Sequence, residues 1–240
     1  MSRIICVLGM HRSGTSCLAG TLEEAGVMLG PVNTEAVHNR KGNREDSRIW
    51  ALHDAILRRN GGTWADPPDT VCWTDSDRAE RDGIVASHMQ EPLWGFKDPR
   101  TLLLFDFWRE ILPDAMLIGT FRHPRLVAES LVRREGRDVE PWLGLWARYN
   151  SELLALHAAR PFPIIRFDTD EVQYRRSLLI AMQWLGIALV GQPSFFAPEL
   201  RHNVVPQPPQ PPPPVMALYD TLCRIAIDPD SPAAAVAQRS

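Results

Sequence analysis

The segment from Gly9 to Ser16, Gly-Met-His-Arg-Ser-Gly-Thr-Ser, combines two glycines, an arginine and three hydroxyl side chains. It follows the apolar run from Ile4 to Leu8, which is typical of a strand buried on both faces, and a helical pattern begins at Thr15. A glycine turn between a strand and a helix points backbone N–H groups at one spot, where the helix dipole adds about half a positive charge. The sequence therefore predicts a site for a phosphate or sulfate group.

The loop departs from the phosphate loop of nucleotide triphosphatases, GxxxxGK(S/T), at one informative position. Thr15 stands where those enzymes have the lysine that reaches the β- and γ-phosphates. The expected acidic ligand for magnesium is also missing, since the run that ends at Phe121 leads into Arg122. The cation stands inside the loop as Arg12, whose planar guanidinium can bind two anionic oxygens at once. This composition favours an anion bound without a metal ion over a plain helix cap.

Further apolar runs predict the elements that must position this loop. Strands are expected at residues 93–96, 115–121 and 164–167, and each is followed by a helical pattern. Pro124 occupies the favoured first position of one such helix, and a long amphipathic helix is expected at about residues 142–156. Alternating strands and helices indicate a parallel sheet. We expect an α/β protein with a three-layer P-loop-type fold, its central parallel sheet flanked by helices.

Composition limits the classes of function. The chain has 240 residues and a formal net charge of −3, which gives no general attraction to nucleic acid or to an anionic membrane. We expect no transmembrane segment, because no apolar stretch reaches the roughly 18 residues that a spanning helix needs, and no secretory leader, because the apolar run at the start is too short for one. We therefore expect a cytoplasmic protein. The four cysteines lie far apart, which argues against a zinc site or a disulfide framework.

Two motifs resemble the sulfotransferases that use 3′-phosphoadenosine 5′-phosphosulfate (PAPS), in particular bacterial members with an HRSGTS loop. The first is the stretch from His11 to Ser16, and the second runs from Phe121 to Leu131. The resemblance implies that the loop binds the 5′-phosphosulfate of the donor, and that Arg122 and Ser130 grip its 3′-phosphate. The implied donor-binding residues are Arg12, Ser13, Gly14, Thr15, Ser16, Arg122 and Ser130. No metal ligands are implied.

The resemblance also extends to the segment Gly-Phe-Lys-Asp-Pro-Arg at residues 95–100, where Lys97 matches a lysine of the catalytic region. Pro99 stands where many cytosolic members have a histidine base, so the base must come from elsewhere. Glu45 is the first candidate by analogy with carbohydrate sulfotransferases, and Asp46 and Asp98 are the rivals. The implied catalytic residues are Arg12, Glu45 and Lys97.

The predicted organisation is a sulfotransferase-like α/β domain at residues 1–205, a proline-rich linker at 206–214 and a C-terminal helix and tail at 215–240. The arginine-lysine-glycine segment of cytosolic relatives is missing, and Arg201-His202 is the candidate to replace it. Trp64 and Trp73 are candidates for lining the acceptor cleft, or for packing in a small apolar cluster beside the main core.

The expected reaction is sulfuryl transfer from PAPS to a hydroxyl or amine of a small-molecule or carbohydrate acceptor. Two alternatives stay open: a P-loop kinase or triphosphatase acting on small molecules, and a non-catalytic nucleotide-binding module. The sequence identifies neither the acceptor nor the oligomeric state, and a homo-oligomer is compatible with it.

Overall fold

The fold is built on a four-stranded sheet. The computed structural model describes residues 2–35, 41–136, 138–189, 195 and 210–231. Within these residues the strands are β1 (Arg3–Leu8), β2 (Leu93–Lys97), β3 (Met116–Phe121) and β4 (Ile164–Arg166). They pair in the order β2-β1-β3-β4, and every pairing is parallel. The predicted strands are confirmed, each with one end that differs by a single residue.

Helices connect the strands and flank the sheet. They are α1 (Thr15–Glu24), α2 (Ser47–Arg59), α3 (Asp75–His88), α4 (Phe105–Arg109), α5 (Pro124–Glu135), α6 (Val139–Ala159), α7 (Glu171–Trp184) and α8 (Pro213–Ile225), with a short 3₁₀ turn at Pro99–Leu102. No helix among the described residues is both long enough and apolar enough to cross a membrane.

The two faces of the sheet have separate cores, as the period of two along a strand requires. Ile5 and Val7 of β1 pack with the apolar side chains of α1 and α7. Cys6 and Leu8, which point to the opposite face, pack in a larger cluster that includes side chains of α2, α5, α6 and α8. Helices therefore cover both faces of a parallel sheet, and the predicted three-layer α/β fold is confirmed.

The helix α3 was not predicted from the apolar runs of the sequence. A capping box marks its beginning: the backbone N–H of Asp77 donates to the Thr74 hydroxyl, and the Asp77 carboxylate accepts from the backbone N–H of Thr74. That spacing was a recognisable signal in the sequence. The helical pattern that follows β2 forms two short elements, the 3₁₀ turn at Pro99–Leu102, which Asp98 caps, and the helix α4 at Phe105–Arg109.

The C-terminal helix α8 begins at Pro213, two residues before the predicted Val215, since proline suits the first positions of a helix. It packs against α5 and α6, and Val215, Tyr219 and Leu222 are buried in the same core as the sheet. Of the predicted linker, residues 206–209 lie outside the described residues, as do Arg201-His202 and residues 232–240. The division at 205 and 214 therefore stays a prediction.

Candidate functional site

The loop between β1 and α1 has the backbone conformation that its glycines permit. Gly9, Arg12 and Gly14 have φ angles of 155°, 66° and 89°. A Cβ on Gly9 would lie 2.5 Å from the carbonyl oxygen of Thr120, so the loop approaches β3 as closely as glycine allows. Gly14 is the N-cap residue of α1 and has no side chain with which to cap the helix. The helix therefore begins without the cap that a Ser, Thr, Asp or Asn residue would supply, which suits a loop that binds an anion.

Arg12 joins the two motifs that the sequence singled out. Its Nε donates a hydrogen bond to the Oγ of Ser130 on α5 over 2.8 Å. Arg122, at the end of β3, is buried, and its guanidinium lies 5.7 Å from the centre of the Phe167 ring. The loop after β1 and the turn after β3 meet at the carboxyl edge of the sheet, because these two strands are neighbours. In open α/β folds this edge is where ligands bind.

Other arginines add positive charge near the loop. Burial lowers the pKa of the Arg12 guanidinium, and the charges of Arg134 and Arg133 lower it further. The guanidinium of Arg134 lies 5.2 Å from the centre of the Trp64 ring. Repulsion among these cations would be relieved by an anion bound between them. Arg134 was not predicted as a site residue, although its position one helical turn after Ser130 on α5 was a signal for it.

Lys97 and Glu45 form an ion pair close to the loop. The Lys97 Nζ lies 2.6 Å from the Glu45 Oε1 and 3.5 Å from the Oγ of Ser16. The lysine side chain is 1% exposed and the glutamate side chain 17%. Arg44, which precedes Glu45, has a φ angle of 57°, and it shares a positive φ with Arg12 alone among the non-glycine residues that the structure describes. Such conformations cluster at functional sites.

The rival carboxylates are engaged in structural contacts. Asp46 accepts from the backbone N–H of Arg48 as the cap of α2, and its Oδ2 lies 2.6 Å from the Arg48 guanidinium. Asp98 caps the 3₁₀ turn and accepts two hydrogen bonds of 2.9 and 3.0 Å from the side chain of Arg100. Burial alone would raise the pKa of Asp98, but the His53 ring, whose Nδ1 lies 3.6 Å from the Oδ1, and the charge of Arg100 lower it well below its ordinary value.

The two loop tryptophans lie in different places. The Trp64 ring is 4.3 Å from the ring of His11, directly before Arg12, whereas Trp73 packs on Phe107 and donates to Glu110. Both are partly buried against the main core. Trp64 therefore borders the candidate site, and Trp73 belongs to the packing of α3 on α4.

His11 is held neutral by its surroundings. Burial lowers its pKa well below the ordinary value, and the nearby charge of Arg100 adds to this effect. The Asp98 carboxylate acts in the opposite direction, and the charges of Arg134 and Lys97 lower the pKa further. The residue before Arg12 thus adds no positive charge at neutral pH.

Metal ligands of the usual kinds are not assembled in the described part of the chain: no group of three or more His, Cys, Asp or Glu side chains lies close enough together to hold an ion. The four cysteines, Cys6, Cys17, Cys72 and Cys223, are free thiols.

Comparison with known proteins identifies the family of this chain. A family model described as "Sulfotransferase family" matches residues 5–174, more than two thirds of the chain. Among solved structures, the sulfotransferase domain of the olefin synthase from Synechococcus PCC 7002 superimposes on 93% of this chain and 96% of its own, at 17% identity and a TM-score of 0.48. That superposition is too loose to add to the family assignment. No curated protein matches the chain in sequence.

The matched region contains the loop after β1, the Glu45–Lys97 pair and the turn after β3, with both Arg122 and Ser130. The chain belongs to the sulfotransferase family, whose members transfer sulfuryl groups.

Proposed function

We propose that the chain transfers a sulfuryl group from PAPS to a hydroxyl or amine of a small-molecule or carbohydrate acceptor. The observation that carries this proposal is the hydrogen bond between Arg12 and Ser130. It brings a loop suited to a 5′-phosphosulfate and a helix suited to a 3′-phosphate to the same edge of the sheet. A nucleotide with phosphate groups at both positions fits this arrangement.

The proposed roles follow from charge and position. Arg12 and the N–H groups at the start of α1 stabilise the negative charge that develops on the leaving 5′-phosphate. Lys97, whose Nζ lies between Ser16 and Glu45, assists by neutralising charge on the sulfuryl group or on the bridging oxygen. The chain thereby holds the donor in line with the attacking atom, which is the main source of rate in transfers of this kind.

Glu45 is the proposed general base. Its carboxylate is the one of the three candidates that is not held by a helix cap, and it is already paired with Lys97. It would accept the proton of the acceptor hydroxyl while the acceptor oxygen bonds to sulfur and the bond from sulfur to the 5′-phosphate oxygen breaks. The proton ends on Glu45, and adenosine 3′,5′-bisphosphate leaves.

The test is calorimetric binding of adenosine 3′,5′-bisphosphate to the full chain, with and without a chelator of divalent ions. We expect binding that the chelator does not change. Absence of binding to the folded protein would overturn the proposed donor. Turnover of ATP that stops on adding the chelator would favour the kinase or triphosphatase alternative instead.

The acceptor is identified by a second experiment. The protein is incubated with PAPS that carries labelled sulfate and with an extract of the host cells, and the labelled product is isolated. We expect one labelled small molecule or carbohydrate. Binding of the bisphosphate without transfer to any acceptor would favour the non-catalytic alternative.

A further inference from the structure

The side chain of Asp168 accepts hydrogen bonds from three parts of the chain. Asp168 lies just after β4, and its side chain is 8% exposed. The Oδ1 accepts from the backbone N–H of His123 over 2.9 Å. The Oδ2 accepts from the hydroxyl of Tyr219 over 2.7 Å and from the guanidinium of Arg166 over 3.2 Å. One carboxylate thus links the ends of β3 and β4 to α8.

Tyr219 brings the C-terminal helix to this position. Its ring lies 4.8 Å from the ring of His123 and 5.8 Å from that of Phe121, and the guanidinium of Arg166 lies 5.5 Å from its centre. Burial raises the pKa of the Tyr219 hydroxyl, and the charge of Asp168 raises it further, so the hydroxyl stays protonated and donates. Residue 219 lies outside the region 5–174 that matches the family.

The hydrogen bond from the His123 N–H to Asp168 matters because that N–H belongs to the peptide group between Arg122 and His123. The same peptide group carries the carbonyl oxygen of Arg122, which accepts from the Trp146 indole over 2.9 Å. The peptide that follows Arg122 is therefore held at both ends, by Trp146 at its C=O and by Asp168 at its N–H. Holding this plane restricts the backbone dihedral ψ of Arg122, and hence the direction in which its side chain leaves the strand.

We propose that Asp168 and Tyr219 are positioning residues for Arg122, so that the C-terminal helix contributes to selection of a nucleotide with a 3′-phosphate. The inference rests on the proposed function, in which Arg122 contacts that phosphate. Asp168 acts through the His123 N–H, and Tyr219 acts by holding the Asp168 carboxylate. Neither residue touches the donor.

The test compares two ligands that differ only in the 3′-phosphate, adenosine 3′,5′-bisphosphate and adenosine 5′-monophosphate. Their dissociation constants are measured by calorimetry for the wild type and for Tyr219→Phe, Asp168→Ala and Asp168→Asn. We expect Tyr219→Phe and Asp168→Ala to lower the preference for the bisphosphate about fivefold, the effect of one lost hydrogen bond. Asp168→Asn retains an oxygen acceptor for the His123 N–H and keeps more of the preference.

Two further variants calibrate the result. Arg122→Ala removes the guanidinium and sets the largest loss of preference that this site can show. Thr221→Ala removes a hydroxyl from a partly exposed position of α8, where among the described residues it bonds to the carbonyl of Ala217 and the side chain of Arg224, and leaves the preference unchanged. If Asp168→Ala fails to fold, Tyr219→Phe, which removes one hydroxyl, carries the test.

A preference that survives in Tyr219→Phe and Asp168→Ala overturns this inference alone. Equal weakening of both ligands overturns it too, because a general loss of structure has no selectivity for the 3′-phosphate. A wild-type protein that binds both ligands equally overturns the proposed donor, and the inference with it.

Discussion

The Nε of Arg12 donates to the Oγ of Ser130 across a separation of 118 residues, so the donor loop and the helix after β3 are in direct contact. The contact is possible because β1 and β3 are hydrogen-bonded neighbours. It means that the proposed sites for the two ends of the donor are coupled rather than independent.

A double-mutant cycle tests this coupling. Arg12→Ala, Ser130→Ala and the double variant are compared for affinity toward adenosine 3′,5′-bisphosphate by calorimetry. We expect the single losses to be non-additive by about 0.5–3 kcal/mol, as for residues in contact. Ser177→Ala is the control, since its hydroxyl bonds to the carbonyl of Ile227 and not to the loop. Strict additivity of Arg12 and Ser130 would show that the hydrogen bond has no role in binding.

The variant Glu45→Gln tests the proposed base. The amide keeps the shape of the side chain but cannot accept the acceptor proton, so transfer falls by about 10²- to 10⁴-fold. Affinity for adenosine 3′,5′-bisphosphate stays within a few-fold of the wild type. The matched control is Glu152→Gln, a partly exposed glutamate on α6 that pairs with Arg148. Full activity of Glu45→Gln would exclude it as the base.

Asp98 is expected to stabilise the folded protein. Asp98→Ala leaves the buried guanidinium of Arg100 without its partner, which costs about 3–5 kcal/mol of the free energy of unfolding. Glu152→Ala, which breaks a partly exposed pair with Arg148, costs far less. Denaturant unfolding followed by circular dichroism measures both. If Asp98→Ala unfolds like the wild type but has lost transfer, then Asp98, and not Glu45, is the base.

His11 makes stability depend on pH. Its pKa in the folded protein is below the value of 6.5 that it has in an unfolded chain. As the pH falls through about 6.5, the unfolded chain takes up a proton that the folded protein does not, and the free energy of unfolding decreases. Unfolding curves at several values between about pH 7.5 and pH 5.5 measure the slope.

The variant His11→Asn isolates this contribution. We expect the free energy of unfolding of this variant to change less steeply with pH than that of the wild type. Part of the pH dependence remains, because burial also lowers the pKa of His88, His123 and His157. An unchanged slope in His11→Asn would mean that His11 is protonated in the folded protein.

Local patterns in the sequence determined the framework of this protein. The apolar run before Gly9 and the glycines of the loop identified β1, the turn and α1, because a buried strand and a positive φ each demand particular residue types. The same kind of pattern placed β2, β3 and β4, and the motifs around Arg12 and Arg122 indicated the family. These features depend on residues that are near one another in the chain.

Tertiary structure alone decided which of these residues meet. The sequence does not distinguish among the carboxylates of Asp46, Asp98 and Glu45. Their partners in the structure do, because Asp46 and Asp98 pair with arginines beside the helix caps that they form, whereas Glu45 pairs with Lys97. The link from Tyr219 through Asp168 to the turn after β3 was likewise invisible in the sequence. Contacts of this kind follow from the order of the strands and from the packing of α8, which the periodicity of a single chain does not encode.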